Sequence, residues 1–169
     1  DISIIPMDDN LTFDLLCKAD TVGVFQLESS GMKRLVSSMQ PTAFGDIVAI
    51  LALYRPGPLG SGMVEDYVQC KHKKKRVVYP HPLMEEILKE TYGVMVYQEQ
   101  IIQSVQVLAG FSLGEADLLR RAIGKKTPEV LAEQRLQFVE GCLKNDVFLE
   151  QCPEESNPKD KANEIFDLI

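Results

Sequence analysis

The amino-acid sequence predicts a mainly α fold with one or two short strands. Three observations lead to this prediction. Apolar residues recur at the spacing of a buried helix face over most of the chain, capping residues and prolines bound these stretches, and runs rich in β-branched and aromatic residues are few. With 169 residues and 45% hydrophobic content, the chain is long enough for one packed domain of ordinary size.

Prolines and capping residues divide the first half of the chain into short helices. Asn10 is a capping residue followed by an apolar stripe, and Pro41 and the Pro-Gly-Pro sequence at 56–58 are helix breakers. The helices expected here cover residues 10–18, 29–40, 43–53 and 60–71. Between the first two, Thr21–Leu27 is rich in Val and Phe and predicts a strand.

The second half carries clear helix-start signals. Ser112 and Glu115 have the spacing of a capping box, and Thr127 is followed by a proline at the first helical position. The helices expected here cover residues 83–90, 98–109, 112–126 and 127–144, and a last helix starts at Asn157-Pro158. Residues 151–161 are polar and contain two prolines, so a surface loop or an insertion is expected there.

The charge of the chain is unevenly distributed. The chain has 25 acidic and 18 basic residues and a net charge of −7, which excludes a protein that binds nucleic acid through its overall charge. Two short windows, Lys71–Arg76 and Arg120–Lys126, nevertheless hold half of the basic residues. This concentration indicates local anion sites on an acidic body.

The second of these windows ends the helix expected at 112–126. At about 100° per residue, an arc of about 140° holds Arg120, Arg121, Gly124 and Lys125, and the opposite face holds Ala116, Leu119 and Ile123. A glycine inside a helix costs about 1 kcal/mol relative to alanine, so Gly124 predicts that an anion such as a phosphate comes close to the backbone. The alternative is a solvated helix face that Asp117 partly neutralises.

Three further places in the first half are candidates for anion contacts. Lys33 and Arg34 lie near the start of a helix, where the macrodipole disfavours cations unless a phosphate binds there; the alternative is a pair of exposed cations. Arg55 is held by the Pro-Gly-Pro turn that follows it. Lys71–Arg76 is interpreted as a flexible basic loop that contacts either a nucleic-acid backbone or only solvent.

The motifs of a self-contained enzyme are missing. The sequence contains no complete Walker A motif, no G-x-S-x-G and no D-x-D, so no catalytic residue is assigned in this chain. The four cysteines form no C-x-x-C pair and are expected to be free thiols, without a metal site. No signal peptide or membrane-spanning run is visible, which predicts a soluble, cytoplasmic protein. The chain starts at Asp1 and ends in an apolar run, as expected of a piece of a larger protein.

Four segments resemble, in order, the bacterial replicative DNA polymerase III alpha subunits, which are C-family DNA polymerases. The segments are Asp20–Lys33, Ala52–Leu59, Tyr92–Gln100 and Ala116–Lys126. The resemblance covers about residues 8–146 and resumes at 165–169. Residues 147–162 match poorly and are therefore assigned to a surface loop or an insertion. The resemblance implies a helical fingers-type domain fragment, with the edge of the palm at 1–20, the fingers at 21–146 and the start of a further, truncated helix at 163–169.

The resemblance also implies a function. The chain is then a fragment of a DNA-directed DNA polymerase whose catalytic aspartates lie outside it, and the fragment alone is expected to be inactive. The residues expected to bind the deoxynucleoside triphosphate are Arg120, Arg121, Lys125, Lys33 and Arg55. Weaker candidates for primer-template phosphates are Lys126, Lys71, Lys73, Lys74, Lys75 and Arg76. Mg²⁺ is expected on the nucleotide and on palm residues, and other replicase subunits are expected partners.

A competing hypothesis is a non-catalytic helical interaction module. Such a module uses its basic patches to dock an acidic partner protein. This hypothesis explains the patches equally well, but it does not explain a glycine within the cationic arc or cations at a helix start.

Overall fold

The computed structural model describes residues 1–125, 127–153 and 156–169. Its secondary structure confirms the mainly α prediction, and no residue in these ranges lies in a strand. The chain divides into two compact units, Asp1–Arg76 and Val77–Ile169. The assignment of residues 1–20 to a palm edge and 21–146 to fingers stays a prediction.

The first unit consists of short helices. After a 3₁₀ turn at Ile2–Ile4, its α-helices are α1 (Asn10–Cys17), α2 (Ser30–Met39), α3 (Phe44–Leu53), α4 (Pro56–Gly60) and α5 (Met63–Lys71). The buried apolar side chains come mainly from α2 and α3, with Tyr67 and Cys70 from α5. Asp9, rather than the expected Asn10, caps α1, because its carboxylate accepts the N–H of Thr12 at 2.8 Å.

The strand predicted at Thr21–Leu27 is wrong. This segment forms consecutive turns, in which the Thr21 hydroxyl donates to the Leu27 carbonyl at 2.6 Å and Gln26 has φ 62°. The segment contains good β-formers, but Val22 is 76% and Phe25 86% exposed, so neither has a packed surface to lie against. β-propensity reflects a fit to a half-buried pleated surface, which is missing within this unit.

The Pro-Gly-Pro sequence also differs from expectation. The helix α3 ends at Leu53, as expected, but the Pro-Gly-Pro sequence is itself helical and forms the start of α4. Pro56 occupies the first helical position, where the missing N–H of proline costs no hydrogen bond. The helix expected from Gly60 starts later, at Met63, after Gly62 with φ 79°.

The second unit is built around α9. Its helices are α6 (Glu85–Leu88), flanked by 3₁₀ turns at Pro82–Met84 and Lys89–Thr91, and α7 (Gln98–Ala109), α8 (Leu113–Lys125), α9 (Pro128–Leu143), α10 (Asp146–Gln151) and α11 (Pro158–Leu168). α9 packs against α7, α8, α10 and α11. Its Phe138 is fully buried between the rings of Phe111 and Phe166, at centroid distances of 6.3 and 5.5 Å.

A glycine allows the close approach of α7 and α9. A Cβ atom built on Gly141 would lie 2.2 Å from the carbonyl oxygen of Ala109 at the end of α7. No side chain fits in that space. The small residue therefore permits the contact that holds α8, which follows α7, against the core of this unit.

The surface loop expected over 147–162 is mostly helical instead. Asn145 caps α10 by accepting the N–H of Phe148, and Phe148 is fully buried and stacks on His81 at 4.5 Å. α11 starts at Pro158, capped by Asn157, which confirms the helix start expected there; the start at residue 163 that the resemblance implied is too late. Within 147–162, the described residues outside the helices are those between α10 and α11. Glu154 and Glu155 lie outside the described residues.

Within the described ranges, no helix is long and apolar enough to cross a membrane. The cysteines Cys17, Cys70, Cys142 and Cys152 carry free thiols. Burial raises the pKa of Cys142 to about 12, so this thiol is not a nucleophile at neutral pH.

Candidate anion-binding site

The helix α8 starts with the capping box expected from the sequence. The N–H and hydroxyl of Ser112 donate to the Glu115 carboxylate at 2.8 and 2.7 Å, and the Glu115 N–H donates to the Ser112 hydroxyl oxygen at 3.3 Å. These hydrogen bonds hold the pKa of Glu115 below its usual value. Gln137 of α9 also donates to this carboxylate, at 2.9 Å. The start of α8 is thus fixed both locally and to α9.

The buried face of α8 decides which side chains point to solvent. Ala116, Leu119 and Ala122 are buried, and Ile123 is only partly buried against the core. The apolar face is therefore close to the expected one, with Ala122 taking part of the place of Ile123. Arg121 and the other basic residues of the last turns lie away from this face.

Arg120 and Arg121 share one carboxylate. Asp117 accepts the Nε–H of Arg120 on Oδ1 and an Nη2–H of Arg121 on Oδ2, both at 2.8 Å. The side chain of Arg121 is 64% exposed, and those of Arg120 and Asp117 are about one-third exposed. The hydrogen bond from Arg120 and the two positive charges hold the pKa of Asp117 below its usual value. We call Arg120 and Arg121 the arginine pair.

A second side chain holds Arg120 from the neighbouring helix. The Nη1–H of Arg120 donates to Gln98 Oε1 at 3.2 Å, and Gln98 is the first residue of α7. Sequence reasoning missed Gln98, although it lies in the Tyr92–Gln100 segment that carries the family resemblance. Contact with Arg120 across 22 residues of sequence is a tertiary feature with no local signal.

The position of Gln98 is set by a buried glutamine two residues on. Gln100 is 3% exposed, and its side-chain oxygen accepts the N–H groups of Val96 and Tyr97 at 2.9 and 3.0 Å. Its amide donates to the Thr91 hydroxyl at 2.8 Å and to the Ile87 carbonyl at 3.1 Å. This set of hydrogen bonds orders the chain that leads into α7, and it satisfies every polar atom of the buried amide.

The surface of α8 next to the arginine pair is open. A Cβ atom built on Gly124 would meet no atom of the chain within 4 Å. No packing contact in this unit therefore explains the glycine, and its backbone is accessible from solvent. Lys125 is exposed at the end of the helix, where a cation is favoured by the macrodipole. Lys126 lies outside the described residues.

Lys33 lies in the first turns of α2, as expected. Ser29 caps this helix by accepting the N–H of Met32. Lys33 is half-buried, and its ammonium forms no hydrogen bond or ion pair with the residues that the structure describes. Gly31 lies against Tyr54, because a Cβ atom there would be 2.1 Å from the Tyr54 hydroxyl oxygen. Because Gly31 has no side chain, the side chain of Tyr54 fits beside the start of α2.

Arg55 follows Tyr54 and is the N-cap residue of α4. It is exposed, and its guanidinium contacts no acidic side chain among the described residues. Next to it, a groove of about 670 Å³ in the first unit is lined by residues that include Gly31, Arg34 and Tyr54. From the sequence, Arg34 was considered only together with Lys33 at the start of α2. In the structure, Arg34 lines this groove.

The segment Lys71–Arg76 is not the flexible basic loop that was expected. It ends α5 in a regular motif, in which Lys73 has φ 57° and the N–H groups of Lys73 and Lys74 donate to the carbonyls of Cys70 and Gln69. This pattern is a Schellman cap, with a lysine at the position where glycine is usual. The carbonyls at the end of α5 are thereby paired.

Lys71 is unsuited to the DNA contact predicted for it. Its ammonium donates to Asp46 Oδ2 at 2.8 Å, and both side chains are less than 10% exposed. Asp46 also accepts the N–H groups of Thr42 and Ala43. Burial alone would raise the pKa of Asp46, but the bonds from Lys71 and from these N–H groups outweigh it and lower the pKa. This pair is part of the core of the first unit.

The remaining cations of this window are exposed. Lys75 forms an ion pair with Asp66 at 2.8 Å, with both side chains about half exposed. Lys73, Lys74 and Arg76 are exposed without an acidic partner among the described residues. Their DNA-binding role, like that of Lys75, stays a prediction.

The structure thus brings two of the predicted site residues together, the arginine pair, through Asp117. Lys125 lies on the same helix, whereas Lys33 and Arg55 belong to the first unit. In the described part of the chain, no group of three or more His, Cys, Asp or Glu side chains is arranged to hold a metal ion.

Comparison with known proteins gives strong matches over the whole chain. The sequence profile of the bacterial DNA polymerase III alpha subunit finger domain matches residues 1–146. The chain is 53% identical to the DNA polymerase III subunit alpha of Haemophilus influenzae over 100% of its length, 49% identical to that of Pseudomonas aeruginosa over 99%, and 47% identical to that of Escherichia coli K12 over 100%. It spans only 14% of the length of each of these relatives.

Proposed function

The chain belongs to the bacterial DNA polymerase III alpha subunit finger domain family, and on this premise we propose that it binds the incoming deoxynucleoside triphosphate during DNA synthesis. The arginine pair is the observation that carries the proposal. Asp117 holds both guanidinium groups, and each group keeps further N–H donors that bond no described residue and can donate to phosphate oxygens.

The chemistry of nucleotide transfer suits such a surface. Phosphoryl transfer is catalysed largely by positioning the reactants and by stabilising charge on the phosphate oxygens. Arg120, Arg121 and Lys125 supply that charge on α8, where the open surface at Gly124 lets a phosphate reach the backbone. Lys33 and Arg55 are proposed as additional contacts from the first unit, since neither has an acidic partner among the described residues.

We propose a lesser role for the exposed cations at the end of α5 and for Lys126. Lys73, Lys74, Lys75 and Arg76 contact primer-template phosphates, which give affinity without sequence information. Lys71 is not proposed, because its ammonium is buried against Asp46. The other subunits of a bacterial replicase are proposed partners, and the cytoplasm is the proposed location.

We propose that Mg²⁺ is held by the nucleotide and by carboxylates outside this chain, since Mg²⁺ is usually bound through one or two carboxylates together with substrate phosphates. We expect the isolated chain to be inactive. No catalytic step is assigned to a carboxylate of this chain.

The test is Arg121→Ala in the full-length alpha subunit that carries this chain. At saturating primer-template, single-turnover incorporation should slow by at least about tenfold, the factor that ~1.4 kcal/mol of lost transition-state stabilisation produces. DNA affinity and its salt dependence should hardly change. Lys144→Ala is the matched control, because Lys144 is an exposed cation of the same unit that faces only Glu140, at 3.9 Å.

The opposite pattern would contradict the proposal. If incorporation by Arg121→Ala is normal and only the salt slope of DNA binding falls, the pair contacts the DNA backbone instead. If both properties are normal, α8 presents a solvated face. That result would favour the competing hypothesis, in which the basic patches dock an acidic partner protein.

A further inference from the structure

We propose that Asp117 is a positioning residue for nucleotide incorporation and that Gln98 assists it by holding Arg120. The two side chains hold the guanidinium groups of the arginine pair in the orientation that receives the triphosphate. This inference rests on the proposed function, and its test separates the two.

The contacts show how each guanidinium is oriented. Asp117 takes the Nε–H of Arg120, and Gln98 takes an Nη1–H of the same group, so the plane of this guanidinium is fixed at two points. Arg121 is held at one point, its Nη2. In both groups, N–H donors remain free, since a guanidinium has five of them in a fixed planar arrangement.

Orientation matters because arginine is long and flexible. An exposed arginine loses side-chain entropy when it binds a ligand in one geometry, and a group that is already held in that geometry loses less. The side chain of Arg121 is 64% exposed and would otherwise sample many rotamers. An ion pair at i, i+4, here Asp117 to Arg121, and one at i, i+3, to Arg120, restrict both groups from one point on α8.

Asp117 has two effects on a triphosphate, and they have opposite signs. Its negative charge weakens the attraction between the arginine pair and an anion. Its hydrogen bonds fix the geometry of that pair. A simple counterion would therefore reduce nucleotide affinity and add nothing to catalysis, whereas a positioning residue raises the turnover rate although it lowers the net positive charge.

Gln98 separates geometry from charge. Its side chain is neutral, so its removal leaves the net charge of the site unchanged. The ordered segment that leads into α7, held by buried Gln100, gives Gln98 a fixed place from which to contact Arg120. Two of the segments that carry the family resemblance, Tyr92–Gln100 and Ala116–Lys126, thus meet at one guanidinium.

The experiment compares Asp117→Asn and Gln98→Ala in the full-length alpha subunit with saturating primer-template. For Asp117→Asn, kcat should fall about tenfold, whereas KM for the nucleotide should stay the same or fall, because the site has become more positive. For Gln98→Ala, kcat should fall about threefold with KM unchanged, since only Arg120 loses a contact. Glu140→Gln is the control, as it removes an exposed carboxylate that faces Lys144 on α9.

Several results would overturn the proposal. A lower KM with unchanged kcat in Asp117→Asn would make Asp117 a competitor of the triphosphate only. Unchanged kcat, with or without a lower melting temperature, would make its role purely structural. An increase in KM with unchanged kcat would also contradict it, because Asp117 would then order the arginine pair for ground-state binding of the nucleotide and not for the transition state.

A double-mutant cycle separates this inference from the proposed function. In an Arg120→Ala, Arg121→Ala background, Asp117→Asn should have almost no further effect on kcat, because nothing remains to be positioned. A persistent effect would show that Asp117 acts on some other group. If Arg121→Ala alone leaves incorporation normal, the proposed function itself fails; if Arg121→Ala is slow but Asp117→Asn is normal, only the positioning role fails.

Discussion

The carboxylates Asp46 and Asp117 contact cations at the same distance but in different surroundings. Asp46 lies 2.8 Å from the Lys71 ammonium, with both side chains below 10% exposure. Asp117 lies 2.8 Å from both arginines, with side chains that are 30–64% exposed. The first contact is largely shielded from water and belongs to the core of the first unit. The second leaves room for a ligand on the same cations. Burial, rather than distance, separates a structural ion pair from a candidate binding surface.

The largest expected effect is that of Lys71→Ala. The substitution leaves the Asp46 carboxylate buried without its cation, which should lower the stability of the α3–α5 contact by about 3 kcal/mol. Hydrogen exchange of the α3 and α5 amides in the full-length protein measures this local opening. Lys75→Ala is the control, since its pair with Asp66 is about half exposed and screened by water, so its loss should hardly change protection. Equal protection in the two variants would show that burial does not separate these pairs.

A buried polar group without a charge gives the second test. His81 is 1% exposed; its Nδ1 accepts the Leu83 N–H at 3.2 Å, so its Nε2–H donates to the Phe148 carbonyl, also at 3.2 Å. Burial lowers the pKa of His81 from 6.5, more than the bond to Phe148 raises it, and Lys161 adds to the lowering. The contribution of His81 to stability is therefore present above about pH 6.5 and is lost as the pH falls towards the lower pKa of the folded state.

The measurement is the protection of α10 between pH 7.5 and about pH 5, corrected for the intrinsic exchange rate. Protection should fall across this range because protonated His81 cannot accept the Leu83 N–H. In His81→Gln this pH dependence should disappear, and in the control His72→Gln, which changes a partly exposed histidine bonded to the Ser38 carbonyl, it should persist. The Asp46 pair should hold α3 and α5 closed throughout, since the pKa of Asp46 lies below 3.8.

The same contrast explains which features the sequence could predict. Signals that act within one turn were sufficient for α8, whose capping box joins residues three apart, and for α7, whose bounds agree with the expected 98–109. Two long-range contacts could not be predicted, because Lys71 meets Asp46 across 25 residues and Arg120 meets Gln98 across 22. Local patterns give the cations of each window and also Asp117, four residues before Arg121, but not Asp46, which buries the ammonium of Lys71.

The errors have the same origin. The strand at Thr21–Leu27 was inferred from local propensity, but a strand needs a neighbour, and turns closed by the Thr21 hydroxyl satisfy this segment instead. The helix α10 lies mostly within 147–162, which was assigned to a loop because this stretch matches the family poorly. The burial of its Phe148 against His81, 67 residues away, stabilises it. For α10 a contact distant in sequence decided the structure, and for Thr21–Leu27 the missing neighbour strand did.

The smallest expected change in stability is that of Gly124→Ala, which tests whether the open surface of α8 receives a ligand. A Cβ atom at Gly124 meets nothing within 4 Å, so alanine should stabilise the helix by up to about 1 kcal/mol. If a phosphate approaches the backbone there, the added methyl group should nevertheless slow nucleotide incorporation by the full-length alpha subunit. Gly114→Ala is a matched control, because Gly114 lies in the first turn of the same helix and a Cβ atom there also meets open space. If the Gly124→Ala protein is more stable and fully active, like the control, no ligand contacts this part of α8. The contacts of Asp117 would then differ from the buried Asp46 pair in exposure alone.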